Sequence, residues 1–290
     1  MDPNAGKKML ANKLSREELQ AKLDAETFHR TTVSFYKYVI IENPQELRDS
    51  LFAQWSQWDC LGRIYVSREG INAQMNVPEH HWDAFDAFIH GIEYFHDVPF
   101  KLAVTDKTEG KSFLKLVVKV REQIVADGLQ PEDYDVTDVG AHLTAKDWNE
   151  AIEKHDPVVV DMRNHYESEI GHFEGAVLPE AETFREELPM VLEKLKGQED
   201  RKILLYCTGG IRCEQTSAYL QHHGFNDVNQ LHGGIIDYAR QIEEEKLQNI
   251  FHGINFVFDE RLGEAISDEV ISECHQCGQP SANHTNCSNK

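Results

Sequence analysis

No apolar run in the 290-residue chain is long enough to cross a bilayer as a helix, which argues against a helical membrane protein. Lys7 and Lys8 are followed only by Met9-Leu10-Ala11, too short for the apolar segment of a secretory signal. No glycine-rich dinucleotide fingerprint and no haem-attachment pattern occurs, so no motif points to a nucleotide, flavin or haem cofactor. Basic residues are scarce: 29 Lys and Arg stand against 50 Asp and Glu, a formal net charge of −21. Lys and Arg supply most non-specific affinity for phosphates, so this balance alone argues against nucleic acid; such a partner requires a local basic surface. Cysteines are few as well, six in all. With a cytoplasmic location expected, they should be reduced, and are read as chemistry or metal ligands before disulfides. Beyond these absences the composition is that of an ordinary soluble protein, 40% hydrophobic and 27% charged, in a chain long enough for two domains.

The most informative stretch is Ile203-Leu204-Leu205-Tyr206-Cys207-Thr208-Gly209-Gly210-Ile211-Arg212-Cys213-Glu214. A β-forming run stops at a cysteine, two glycines and an arginine come next, and a helical pattern runs from Cys213 to Gly224, which reads as strand, tight loop, helix. Gly209 and Gly210 let the backbone curl so that amides of Thr208, Gly209, Gly210 and Ile211 turn inward at the positive end of a helix. Arg212 adds a permanent charge. All three features lower the pKa of Cys207, as expected of a reactive thiolate and not of a buried structural cysteine. Cys213 either acts as a resolving thiol for an oxidised Cys207 or fills the first helical turn.

Three further segments accompany this loop. Asp161-Met162-Arg163-Asn164 comes after the strand Val158-Val159-Val160, Gly171-His172-Phe173-Glu174-Gly175-Ala176 is a glycine-flanked turn, and Leu231-His232-Gly233-Gly234 closes the series. In this order the four segments resemble the rhodanese family. Glu69-Gly70-Ile71-Asn72, Cys207 to Glu214, and Cys274-His275-Gln276-Cys277-Gly278 narrow the resemblance to the bacterial tRNA uridine-34 hydroxylases, over nearly all of residues 30 to 280. The resemblance implies a tRNA-modifying oxidoreductase that converts the wobble uridine to 5-hydroxyuridine with molecular oxygen as co-substrate. It implies Cys207 and Arg212 as the catalytic pair, braced by Asp161 and Arg163, which otherwise form an ion pair orienting two loops. His172 in its turn is expected to make a backbone hydrogen bond and not to act as an acid or base. Four residues separate Cys207 from Arg212, as in sulfurtransferases, whereas the related phosphatases carry five. The alternative is therefore a sulfurtransferase passing sulfane sulfur through a Cys207 persulfide. A third reading, a non-catalytic binding module, is disfavoured by the intact Cys and Arg.

Before this domain the pattern is strand, helix, two strands, helix, strand, which predicts a ferredoxin-like, acylphosphatase-like α+β domain with a four-stranded sheet. Pro44 opens the helix bearing Leu47, Leu51, Phe52 and Trp55, and Pro78 the one bearing Trp82, Phe85 and Ile89. The last strand is expected over Phe113 to Val120. Its alternation puts Leu114, Leu116, Val118 and Val120 on the core face, and Phe113, Lys115, Lys119 and Arg121 on the other. Lys111 extends this basic stripe, a candidate RNA-facing surface, with Tyr36 and Tyr38 as candidate stacking groups.

The expected organisation is a helical tail over 1–30, the α+β domain over 31–123, an acidic linker over 124–143, a rhodanese-like α/β domain with a parallel sheet over 144–246, and a cysteine-containing tail over 247–290. Ser15-Arg16-Glu17-Glu18 is a capping-box pattern ahead of Leu19 and Leu23. Pro189 is expected to open a helix carrying Val191, Leu192 and Leu195. In the tail, Cys274, Cys277, His284 and Cys287 have spacing suited to zinc, although Ser281 stands where the resembled family usually shows cysteine.

Overall fold

The computed structural model describes residues 14–103, 112–129, 134–259 and 261–282. The chain divides into two compact units, Met1–Val125 with Asp259–Arg261, and Ala126–Phe258 with Leu262–Lys290.

In the first unit, helix α1 (Arg16–Asp24) starts at the anticipated capping box: Ser15 Oγ accepts the Glu18 N–H, and the Glu18 carboxylate accepts the Ser15 N–H. Leu23 is buried, so the helix docks and is not merely solvated. Then come β1 (Arg30–Tyr38), α2 (Pro44–Gln57), β2 (Leu61–Ser67), β3 (Gly70–Pro78), α3 (Trp82–His90), β4 (Lys101–Leu102) and β5 (Leu116–Val120). Asn43 caps α2, with Pro44 in the first turn where a missing N–H costs nothing. Leu51 and Trp55 from α2 and Phe85 and Ile89 from α3 are buried against Phe35, Ile64, Val66, Ile71 and Met75 of the sheet.

The first unit departs from expectation in two ways. The sheet has five strands, not four, in the order β4-β1-β3-β2-β5. The segment expected as the fourth ferredoxin-like strand is β5, parallel to β2 at one edge, and the two-residue β4 takes the place beside β1. Two residues carry no periodicity, so no pattern could announce β4. The regular strand also begins only at Leu116, and Phe113 ahead of it is buried instead of joining the basic face.

The second unit opens with β6 (Ala141–Leu143), α4 (Ala145–His155) capped by Thr144, and β7 (Val158–Asp161). Next are a four-residue helix α5 (His165–Ser168), β8 (Gly171–Phe173), α6 (Phe184–Leu195), β9 (Lys202–Tyr206) and α7 (Ile211–His222). β10 (Asp227–Leu231), α8 (Gly234–Glu245), β11 (Phe251–Asn255) and β12 (Glu264–Ala265) complete it. β6, β10, β9 and β7 form an all-parallel sheet in that order, the α/β arrangement expected, while β8, β11 and β12 pair antiparallel. Pro189 does not open α6 but lies inside it. The buried stripe Phe184, Leu188, Val191 and Leu195 begins a turn earlier than the proline suggested, and packing carries the helix across a position whose ring removes one hydrogen bond.

Trp55 is fully buried, and its indole N–H has no hydrogen-bond partner among the described residues. Trp55→Ala should therefore cost about 3–5 kcal/mol in chemical denaturation, whereas Trp55→Phe, which keeps a ring and removes an unpaired donor, should cost less than about 2 kcal/mol. Equal losses would contradict this packing.

Candidate active site

β9 is buried along Ile203 to Tyr206 and delivers Cys207 to the carboxyl end of the parallel sheet, where open α/β folds place their chemistry. The loop then closes through Gly210, whose φ of 97° is the left-handed conformation glycine tolerates best. At the start of α8, the Ile235 N–H donates to the Cys207 carbonyl at 3.0 Å and the Ile236 N–H to the Thr208 carbonyl at 3.2 Å. Gly234 lies so close that a Cβ there would sit 2.5 Å from the Cys207 carbonyl oxygen. The carbonyls are thus held toward α8, and the loop's amides are left for the sulfur.

The Gly210 N–H reaches Cys207 Sγ at 3.1 Å, and the N–H groups of Arg212 and Cys213 also donate to it. Burial pushes the Cys207 thiol up, but the Cys213 thiol hydrogen bond, the Arg212 charge and these amides outweigh it and bring the pKa down to about 5. Among the expected amides Gly210 donates to the sulfur, and two that were not expected, those of Arg212 and Cys213 in the first turn of α7, donate as well. Thr208 contributes through its side chain, whose hydroxyl donates to Glu167 at 3.3 Å.

Arg212 is not committed to the sulfur alone. Its guanidinium donates to both oxygens of Glu167, at 2.7 and 3.0 Å, and both side chains are buried. Sequence reasoning missed Glu167, which also accepts the Asn164 N–H at 3.0 Å as the capping carboxylate of α5. The Asn164-x-x-Glu167 spacing was the available signal. Asp161 and Arg163 form a second, fully buried pair, Nε to Oδ1 at 2.8 Å and Nη2 to Oδ2 at 2.6 Å, and Arg163 also donates to the Gly171 carbonyl. This ties β7's end to β8. In the same turn His172 Nδ1 lies 2.8 Å from the Ser168 carbonyl, a backbone hydrogen bond.

Two more contributors were missed. Glu187 of α6 is completely buried, neither carboxyl oxygen has a hydrogen-bond partner among the described residues, and burial holds its pKa well above the carboxylate range. Asp161, Glu167 and Cys207 add to that rise and Arg212 opposes it, so Glu187 is a neutral acid in the electrostatic surroundings of the sulfur. It occupies an apolar phase of its helix, one turn before Val191, which is the signal it left in the sequence. The segment after β11 also lies on the site: the Phe256 carbonyl accepts from Thr208 at 3.4 Å, and the Phe258 ring sits 5.8 Å from the Arg212 guanidinium.

The remaining candidates do not join this loop. Lys115, Lys119 and Arg121 are exposed at the β5 edge of the first unit, and Lys111 lies outside the described residues. Lys119 is in register with Tyr65 of β2, whose ring carries the Arg121 guanidinium at 5.6 Å, and Arg63 is exposed on the same strand. Tyr36 is covered by the Lys101 ammonium at 4.0 Å, so one face of this stacking candidate is already taken. Cys274 and Cys277 share a tight turn closed by the Gly278 N–H on the Cys274 carbonyl, and amides of Gln276 and Cys277 lower the Cys274 pKa. His284 and Cys287 lie outside the described residues, and among the described residues no group of three or more His, Cys, Asp or Glu could hold a metal.

The site predicts a sign as well as a value. Because the folded pKa of Cys207 lies below its ordinary value of 9.0, the thiolate's contribution to stability is full above that value and is lost as pH falls through about 5. The stability difference between the native protein and Cys207→Ser should therefore widen from pH 5 to pH 9 in urea titrations. Thiolate absorbance should titrate near 5, and lower still in Glu167→Gln, where no carboxylate shares the guanidinium. A midpoint at an ordinary thiol value would refute this electrostatic account.

Three family models match the chain: a UPF0176 acylphosphatase-like domain over 30–124, a rhodanese-like domain over 144–241, and a rhodanese C-terminal segment over 252–290. A tRNA uridine(34) hydroxylase of Leptospira interrogans is 56% identical over 283 residues, covering 98% of this chain and 77% of that protein. Proteins of the same name from Yersinia enterocolitica and Photorhabdus laumondii are 50% and 48% identical, each covering 97% of this chain and 80% of the relative. With an acylphosphatase-like unit, a rhodanese-like unit and identity at this level over nearly its whole length, the chain belongs to the tRNA uridine(34) hydroxylase family.

Proposed function

We propose that this protein hydroxylates uridine 34 of tRNA, the wobble position, to 5-hydroxyuridine, in an oxygen-dependent reaction whose essential protein group is the Cys207 thiolate. The observation that carries the chemical part is that sulfur, ionised at neutral pH by the Cys213 thiol, Arg212 and inward-turned amides, despite complete burial. These donors would equally hold negative charge developing on the sulfur or on an atom bound to it. Asp161 and Arg163 fix the neighbouring strand end, and Glu167 fixes the guanidinium, so the donors need not reorganise during the reaction.

The tRNA substrate needs cationic contacts that the bulk composition does not offer. Lys115, Lys119 and Arg121, joined by Arg63, supply them at the β2–β5 edge, and Lys111 precedes them in the chain. Membership of a tRNA-modifying family supports a cytoplasmic location, in which the thiols would stay reduced. For the tail, the Cys274–Cys277 turn has the donor chemistry of half a zinc site, with Cys274 already biased toward thiolate by backbone amides. His284 and Cys287 would complete the set, and bound zinc would cross-link the tail with no part in catalysis.

A sulfurtransferase reading is favoured by one feature, the short loop whose Gly210 amide contacts sulfur directly. It shares Cys207 and differs in substrate: sulfane sulfur passes from a small donor, through a Cys207 persulfide, to a thiol or cyanide acceptor.

Nucleoside analysis of tRNA separates the two. Cells carrying only Cys207→Ser should lose 5-hydroxyuridine and its derivatives, and undiminished modification would refute an essential sulfur. Charge reversal at Lys115 and Lys119 should weaken tRNA binding by about tenfold or more at moderate salt and flatten its salt dependence, given the role of phosphate neutralisation. Unchanged affinity would remove this edge from the interface. Purified protein should carry zinc stoichiometrically and lose it in Cys274→Ala; absence of zinc from the native protein would discard the metal.

A further inference from the structure

Cys213 serves the proposed hydroxylation only as a hydrogen-bond donor to Cys207, yet it is the only other described cysteine on the active loop, and both thiols are completely buried. It stands in the first turn of α7, where its N–H donates to the Gly210 carbonyl at 3.0 Å. Its thiol hydrogen-bonds the Cys207 sulfur. The two sulfurs therefore share one proton: Cys207 is the anion and Cys213 the donor.

The ionisation of Cys213 is tied to the state of Cys207. Burial is the largest cause raising its pKa, then the hydrogen bond to Cys207 and the charge of Cys207, while Arg212 lowers it. Oxidation of Cys207 to a neutral species removes the two contributions that depend on its negative charge. Arg212 then favours the thiolate of Cys213 without the Cys207 charge against it, and the hydrogen bond between the two thiols already sets Cys213 beside the sulfur it would attack.

We infer that Cys213 is the resolving thiol of the site, forming a Cys207–Cys213 disulfide inside the active loop whenever the Cys207 sulfur has been oxidised. The inference rests on the proposed function only in taking Cys207 as the reactive sulfur. With hydrogen peroxide as oxidant, the Cys207 thiolate attacks one peroxide oxygen, the O–O bond breaks, and hydroxide leaves to give sulfenic acid; sulfur is oxidised and peroxide reduced. The Cys213 sulfur then attacks the sulfenic sulfur, the S–O bond breaks, and the hydroxyl departs as water with the Cys213 proton. A Cys207 persulfide resolves in the same way, the outer sulfur leaving as hydrogen sulfide. In either case a small dithiol restores both thiols and is itself oxidised to a disulfide. The outcome protects the active sulfur from sulfinic acid, which cannot be recovered by thiols.

The test uses the full chain, hydrogen peroxide in several-fold molar excess over the protein so that a second oxidation of the same sulfur is possible, alkylation of remaining thiols, and mass spectrometry of the loop peptide without reduction. The native protein should yield a peptide lighter by about 2 Da, linked between Cys207 and Cys213 and reopened by dithiothreitol. Cys213→Ser, which keeps a hydroxyl donor at that position, should instead accumulate Cys207 heavier by about 32 Da, insensitive to dithiothreitol. The native measurement stands alone should the variant fail to fold. Accumulation of sulfinic acid in the native protein, or recovery of the serine variant to the same extent, would overturn the inference. Either result leaves the tRNA assay with Cys207→Ser unaffected, so failure here is distinguishable from failure of the functional reading.

Discussion

Everything in the site depends on keeping one sulfur anionic in a place closed off from bulk solvent. Burial alone would neutralise it, as it does at Cys60 in the first unit, whose thiol burial pushes up to about 12. The contrast between these two buried cysteines isolates what the loop supplies. Cys207 has hydrogen bonds from Gly210, Arg212 and Cys213 and a guanidinium beside it; Cys60 is dominated by desolvation. Those donors are aimed at the sulfur because α8 holds the Cys207 and Thr208 carbonyls on its own side, an arrangement that leaves no room for a side chain at Gly234. The chemistry of one residue is thus set by the start of a helix that lies beyond the next strand of the chain.

A buried charge needs a buried partner, and here partners are shared. Two unit charges 4 Å apart interact by about 4 kcal/mol at an effective dielectric of about 20, enough for a single neighbour to alter an ionisation state. Asp161 with Arg163 and Glu167 with Arg212 are each neutral as pairs, so the thiolate is an excess negative charge held mainly by dipoles and a partly occupied guanidinium. Both guanidinium groups already face a carboxylate, and no hydrogen-bond donor reaches the Glu187 carboxyl oxygens among the described residues. Glu187 accordingly keeps its proton, as complete burial favours for a carboxyl group whose oxygens have no hydrogen-bond partner among the described residues. The same scarcity makes the Cys213 thiol useful as a donor, because it adds a hydrogen bond to the sulfur without adding a charge.

Local patterning and local chemistry were readable in the sequence wherever the two agreed. The capping box of α1, the alternation in β5 and the strand-loop-helix around Cys207 each depend on residues a few positions apart, and each is legible at that range. Features that escaped notice depend on distant pairing. Glu167 announces itself locally only as the capping acid of a four-residue helix, and its part in the site is defined by Arg212, forty-five positions later. The Phe256 carbonyl and the Phe258 ring reach the loop through the β11 pairing, which no periodicity announces. Pro189 misled because a residue that favours first turns was carried into a helix interior by the apolar stripe around it. Glu187 was legible in principle, as an acid on the buried stripe, but its neutrality depends on the neighbours that tertiary structure brings.

The strongly negative composition and an RNA substrate are compatible because they act over different distances. At physiological salt, charges further apart than about 8 Å are largely screened, so an approaching phosphate responds to the nearest few side chains and little to the total. A short run of alternating residues on an edge strand is then sufficient to define a binding surface. In β5 one rule produces both requirements: Val118 and Val120 turn inward to close the core, and the same alternation turns Lys119 outward, with Arg121 continuing it past the strand's end. Tyr65 of β2 lies under the Arg121 guanidinium, which sits 5.6 Å from its ring centroid and is thereby oriented at this edge. A basic edge of this kind costs the fold nothing in core residues, so an acidic protein can carry a local cationic strand without altering how it packs.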